Sequence, residues 1–124
     1  MADRRFNFLI LEDSYYTRCD VAEHVRKIRP ESDRILISES IQEACEVFEH
    51  ENIDLVIADT TVCDGETIDF FLEYNLTVPV VFYSGYDCEE DYLRNLNIVD
   101  YLKLPVTFDA LKESFRKFDL LISK

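Results

Sequence analysis

Short unbroken apolar runs alternate along this chain with stretches whose apolar positions recur every third or fourth residue. A short run bounded by polar residues reads as a buried strand, and the longer period reads as an amphipathic helix. On that basis strands are predicted at Phe6–Leu11, Arg34–Ser38, Leu55–Ala58, Val78–Ser84 and Val99–Leu102. Cys19, Ala22 and Val25 mark a first helix between them. Ile41, Ala44, Cys45 and Phe48 line a second, where Ser40 and Glu43 have the spacing of a capping box. Ile68, Phe71 and Leu72 mark a short third helix, and Tyr92, Leu93 and Leu96 a fourth. Leu111, Phe115, Phe118 and Ile122 follow the period of a fifth, with Thr107 as its N-cap.

Strict alternation of strand and helix predicts an α/β fold: a doubly wound, five-stranded parallel sheet with helices on both faces. Right-handed crossovers leave few arrangements, and the flavodoxin-like strand order 2-1-3-4-5 is the expected one. In that order the first and third strands are neighbours and flank the crevice at the carboxyl edge of the sheet, where ligands bind. The first ends in Phe8-Leu-Ile-Leu-Glu-Asp13 and the third in Asp54-Leu-Val-Ile-Ala-Asp59. Glu12, Asp13 and Asp59 are therefore expected to converge. Close carboxylates repel one another unless a proton or cation intervenes, and an oxygen-only ligand set suits magnesium. The fourth strand ends in Ser84-Gly85, which sets a hydroxyl beside the pocket. Asp64-Gly65 predicts a turn just past Asp59, and Leu104-Pro105 begins a loop with a constrained peptide after the fifth strand.

Composition narrows the function. A length of 124 residues suits one domain spanning 1–124, with 48% hydrophobic residues to build its core. With 26 acidic residues against 13 basic ones, the net charge of −13 argues against direct binding to a nucleic-acid backbone. Cys19, Cys45, Cys63 and Cys88 are widely spaced and read as free thiols of a reducing compartment. No apolar run approaches the roughly 20 residues of a membrane span. The opening Met-Ala-Asp-Arg-Arg-Phe lacks the apolar segment of a signal peptide, so a cytoplasmic protein is expected. His24 and His50 lack convergent ligands and read as surface residues, and Cys63 as an inert thiol. The only glycines, Gly65 and Gly85, cannot build a dinucleotide or nucleotide phosphate loop, and an independent metabolic enzyme is not expected.

Five pieces, each in order at its strand end, then carry a family resemblance: Leu-Glu12-Asp13, Asp-Leu-Val-Ile-Ala-Asp59, Asp64-Gly65, Val-Pro-Val-Val-Phe-Tyr-Ser84-Gly and Asp-Tyr101-Leu-Lys-Leu-Pro105. Over essentially its whole length the chain resembles the receiver domain of two-component response regulators. The segment from Val99 to Phe108 is similar to receivers that precede LytTR-type DNA-binding domains. The resemblance implies that Asp59 accepts a phosphoryl group from a sensor histidine kinase or phosphotransfer protein. It implies a magnesium cofactor held by Glu12, Asp13, Asp59 and the backbone carbonyl of Thr61. Ser84 would bond a phosphoryl oxygen, and Tyr101 would be the aromatic switch that moves with it. Output would pass through the face of the fourth helix, fifth strand and fifth helix, with a homodimer as the expected association and no membrane partner.

Two positions depart from the family pattern. Cys63 stands where proline is usual after Thr60-Thr61-Val62. More consequentially, receivers carry a lysine immediately before the proline of the fifth strand, whereas here Leu104 holds that place and the lysine is Lys103. Side chains alternate across a strand, so Lys103 points away from the pocket unless the backbone bulges. Two function classes stay open: a phosphorylation-driven switch, and a pseudo-receiver that acts as a constitutive interaction module. Whether the domain stands alone or is the N-terminal part of a longer protein is equally open.

Overall fold

The computed structural model describes residues 4–86 and 95–123. Strand β1 (Asn7–Leu11) is followed by helix α1 (Tyr15–Ile28), β2 (Arg34–Ser38), α2 (Ile41–His50) and β3 (Leu55–Asp59). A small hairpin, β4 (Thr61–Val62) and β5 (Gly65–Glu66), leads into α3 (Thr67–Glu73). Then come β6 (Val80–Ser84), β7 (Ile98–Lys103) and α4 (Phe108–Ile122). The main sheet has five parallel strands in the order β2-β1-β3-β6-β7, the 2-1-3-4-5 arrangement expected of the sequence. The fourth sequence-predicted helix, marked by Tyr92 and Leu93, and Cys88 lie outside the described residues. Leu96 packs against the core just before β7.

Central strands buried on both faces divide the core in two. Phe8, Ile10, Leu55, Ile57, Val81 and Tyr83 point to one side, where Val21 and Val25 of α1 and Leu111, Phe115 and Phe118 of α4 cover them. Leu9, Leu11, Val56, Ala58, Val80 and Phe82 point to the other, against Ala44 of α2 and Phe70 and Phe71 of α3. The helix ends follow local chemistry. Ser40 Oγ accepts from Glu43 N at 3.1 Å, and Thr107 Oγ1 from Ala110 N at 3.1 Å. Glu43 reaches back to Glu39 N, one residue before the cap itself. Asp64 completes the start of α2 from a distance, accepting from Ile41 N at 2.8 Å and Gln42 N at 3.1 Å.

Several boundaries differ from the sequence reading. Phe6 precedes β1 and is held by Arg34 N donating to its carbonyl. Val78 and Pro79 stay outside β6, consistent with the proline's missing N–H. The β4–β5 hairpin was not anticipated, because two-residue strands carry no periodic signal. His24 is half-buried beside Phe108, at 6.0 Å between ring centres, and so is not a plain surface histidine. Along β7 the register slips: Val80 pairs with Ile98 but Val81 with Asp100, so the strand bulges at Val99. The slip lets Asp100 turn towards α4, where it accepts from Ser114 Oγ at 2.8 Å and pairs with Lys117 at 3.1 Å. Beyond the bulge alternation is regular. Tyr101 faces the α2–α3 side, and Leu102 and Leu104 the α1–α4 side.

Candidate functional site

Register builds the acidic pocket. Leu11 pairs with Ala58, so the next residues, Glu12 and Asp59, leave adjacent strands abreast at the carboxyl edge. Glu12 is only 1% exposed, although it is a carboxylate. Its Oε1 accepts from the Tyr83 hydroxyl at 2.6 Å and its Oε2 from Ser14 N at 2.9 Å. Asp59 is half-buried. Its Oδ1 accepts from Thr61 N at 3.1 Å, and its carbonyl from Thr67 Oγ1 at 2.7 Å. The β4–β5 hairpin and the start of α3 thus fix the loop that follows the carboxylate. Asp13 is exposed at the mouth.

Burial raises the Glu12 carboxyl above its ordinary value, and the charge of Asp59 adds to the rise against the two hydrogen bonds it accepts. Burial likewise raises Asp59, with the charges of Asp13 and Glu66 acting in the same direction and the Thr61 and Thr60 amides opposing them. Tyr83 is pushed up strongly by burial and by the Glu12 carboxylate, so its phenol remains protonated and donates. Cys63, exposed at the hairpin turn, is shifted up by desolvation and the nearby acids, which keeps it a thiol.

The remaining sequence-predicted residues take these positions. Ser84 is buried at the end of β6, and its Oγ accepts from Tyr86 N at 3.1 Å. Tyr101 pairs with Phe82 in register and is half-buried against the α2–α3 cluster. Lys103 is exposed and pairs with Ser84 in register, whereas Leu104 packs with Tyr83 on the opposite face. Among the described residues, no three His, Cys, Asp or Glu side chains converge closely enough to hold a metal ion by themselves. The donors nevertheless suit a hard cation in kind: Glu12 and Asp59 offer carboxylate oxygens under mutual repulsion. Magnesium characteristically binds through one or two carboxylates and keeps its waters.

Two participants had no place in the sequence reading. Arg18 lies over Tyr15 and donates to the carbonyls of Glu12 and Asp13 at 3.4 and 3.5 Å, while pairing with Glu39 at 3.4 Å. Tyr83 falls inside the predicted strand Val78–Ser84, where its hydroxyl has no assigned role. A tyrosine in a buried run is itself a signal, since its hydroxyl requires a partner.

No family model matches the chain, and no curated protein matches it. Solved structures do. A response regulator receiver domain (CheY-like) from Methylobacillus flagellatus superposes with a TM-score of 0.80 at 16% identity, over 93% of this chain and 99% of that one. The chain has the receiver-domain fold. A receiver domain protein (CheY-like) from Methanospirillum hungatei gives 0.79 at 18% identity, covering 97% of this chain and 98% of that one. The chemotaxis response regulator CheY4 of Vibrio cholerae gives 0.76 at 14%, covering 93% and 99%. The receiver fold thus extends over nearly the whole chain. Among the described residues, no helix is long and apolar enough to cross a membrane.

Proposed function

We propose that this domain is a phosphoacceptor of two-component signalling, modified at Asp59 by a sensor histidine kinase or phosphotransfer protein. One observation carries the reading: the in-register edge of β1 and β3 sets a half-buried Asp59 beside a fully held Glu12, with the Ser84 hydroxyl on the adjoining strand. A carboxylate oxygen of Asp59 forms the new bond to phosphorus while the N–P bond of a phosphohistidine breaks, its electron pair remaining on the imidazole nitrogen. Glu12, Asp13, Asp59 and the Thr61 carbonyl would hold magnesium, which when bound supplies the positive charge that neutralises the phosphoryl oxygens. The residues themselves position and orient: Thr61 N holds one Asp59 oxygen, and Ser84 offers a hydroxyl to the phosphoryl group. Tyr101 would relay that contact to an association face on β7 and the neighbouring helices, there supporting a homodimer or an effector of the LytTR type. The free thiols Cys19, Cys45 and Cys63 accord with a cytoplasmic setting.

A second reading, the constitutive pseudo-receiver, draws on Leu104, which packs into the α1–α4 core where the family carries its lysine. Incubation with acetyl phosphate and magnesium, followed by intact-mass and peptide analysis, separates the two. The phosphoacceptor reading expects one added phosphoryl group that maps to Asp59 and disappears in Asp59→Asn. An unmodified protein under conditions that label an ordinary receiver would leave the pseudo-receiver.

A further inference from the structure

Tyr83 brings a phenol to a fully buried position on β6. Packing alone does not require the hydroxyl, since the rest of its cluster is phenylalanine and aliphatic side chains. A buried hydroxyl without a partner costs about 1–3 kcal/mol, so its presence depends on what it meets. It meets Glu12 Oε1 at 2.6 Å. Glu12 is equally dependent: it is a carboxylate at 1% exposure, with Ser14 N on its other oxygen at 2.9 Å. The two donors come from different elements, β6 and the entry to α1, and they clamp the carboxylate at both ends. Each oxygen keeps a second lone pair for another contact. Tyr83 also pairs with Asp59 across the β3–β6 ladder and with Leu102 across the β6–β7 ladder, and Leu104 packs against its cluster.

We propose that Tyr83 is the positioning residue of the acidic pocket: its hydroxyl, brought from β6, fixes the Glu12 carboxylate beside Asp59. This deepens the phosphoacceptor reading and rests on it for what the pocket serves. The donor is neutral and directional. It sets where Glu12 points without offsetting its charge.

The test uses the metal-free protein first. Tyr83→Phe keeps the ring and removes the donor, so Glu12 loses one of its two anchors. Exchange of the Ser14 amide should accelerate about tenfold or more, the size expected for losing one hydrogen bond to a charged group. The amides of Val81 and Phe82, which report the sheet, should be unaffected. In the unaltered protein the Tyr83 hydroxyl proton should give a slowly exchanging NMR signal with a through-space contact to the Glu12 side chain. This reads out even if the variant fails to fold. Magnesium affinity, measured by calorimetry, should fall about tenfold in Tyr83→Phe, as when a partner orienting a metal ligand is removed. Unchanged Ser14 exchange, equal magnesium affinity or a freely exchanging hydroxyl proton would each overturn the proposal. Labelling of the unaltered protein keeps the two ideas apart. No label on Asp59 together with a strong Ser14 effect removes the phosphoacceptor reading and leaves Tyr83 positioning Glu12. Normal labelling with no Ser14 effect does the reverse.

Discussion

Asp59→Asn should make the metal-free protein more stable at neutral pH, although it removes the residue on which the proposed function depends. Glu12 and Asp59 leave neighbouring strands abreast, and strands lie about 4.8 Å apart. Two unit charges at that separation repel by about 0.9 kcal/mol in bulk water and about 3.5 kcal/mol at an effective dielectric of about 20. A half-buried pocket lies between these limits, so a gain on the order of 1–2 kcal/mol is expected. Asparagine keeps Oδ1 as acceptor for Thr61 N, so little is lost in exchange. At this chain length the gain corresponds to a rise in Tm of about 4 °C per kcal/mol. The pH dependence follows from the raised carboxyls of Glu12 and Asp59. A group whose pKa is higher in the folded chain binds more protons there, so stability falls as pH rises from the unfolded value through the folded one. The advantage of Asp59→Asn should be greatest near neutral pH and shrink as pH drops towards about 4, where the carboxyls of both chains protonate. Urea unfolding of both proteins with chelator, across that range, measures it. A variant less stable than the parent at neutral pH, or a gain independent of pH, would refute the account of the pocket as a site of repulsion.

Other perturbations have equally definite outcomes. Arg29→Met should cost about 3 kcal/mol in urea unfolding, because among the described residues it leaves Asp33, buried at 3% exposure, with only Phe6 N as donor to its side chain; a loss below about 1 kcal/mol would mean that Asp33 relaxes to water. Exchanging Lys103→Leu with Leu104→Lys should bring an amine to the α1–α4 side of β7 and enlarge the phosphorylation-dependent NMR shifts of that strand; an equal shift in the unaltered protein would show that it already has a working substitute. Tyr86 is 82% exposed two residues past Ser84, so Tyr86→Ala should hasten loss of phosphate from labelled Asp59 by opening the path of water; an unchanged rate removes it from the argument. Tyr101→Ala should weaken phosphorylation-dependent self-association in sedimentation, and association that ignores it would shift the output surface away from β7.

The layering and the placement of the acids were legible in the residue pattern alone. Short unbroken apolar runs such as Leu55–Ala58 read as strands covered on both sides, and their alternation with helical periods leaves few sheet orders, of which 2-1-3-4-5 is the expected one. Because that order makes β1 and β3 neighbours, it brings Glu12 and Asp59 together from the pattern alone. The capping residues Ser40 and Thr107 were legible for a similar reason: their partners lie three residues away along the chain. Other features depend on contacts between segments far apart in the chain. Asp64 caps α2 from 23 residues away, and Tyr83 reaches Glu12 across 71. Neither spacing leaves a periodic trace. The bulge at Val99 is decided the same way, since Asp100 turns to meet Ser114 and Lys117 on a helix that follows it. Local periodicity specifies which face a residue occupies, but only the packed sheet and helices specify which polar atom it meets there.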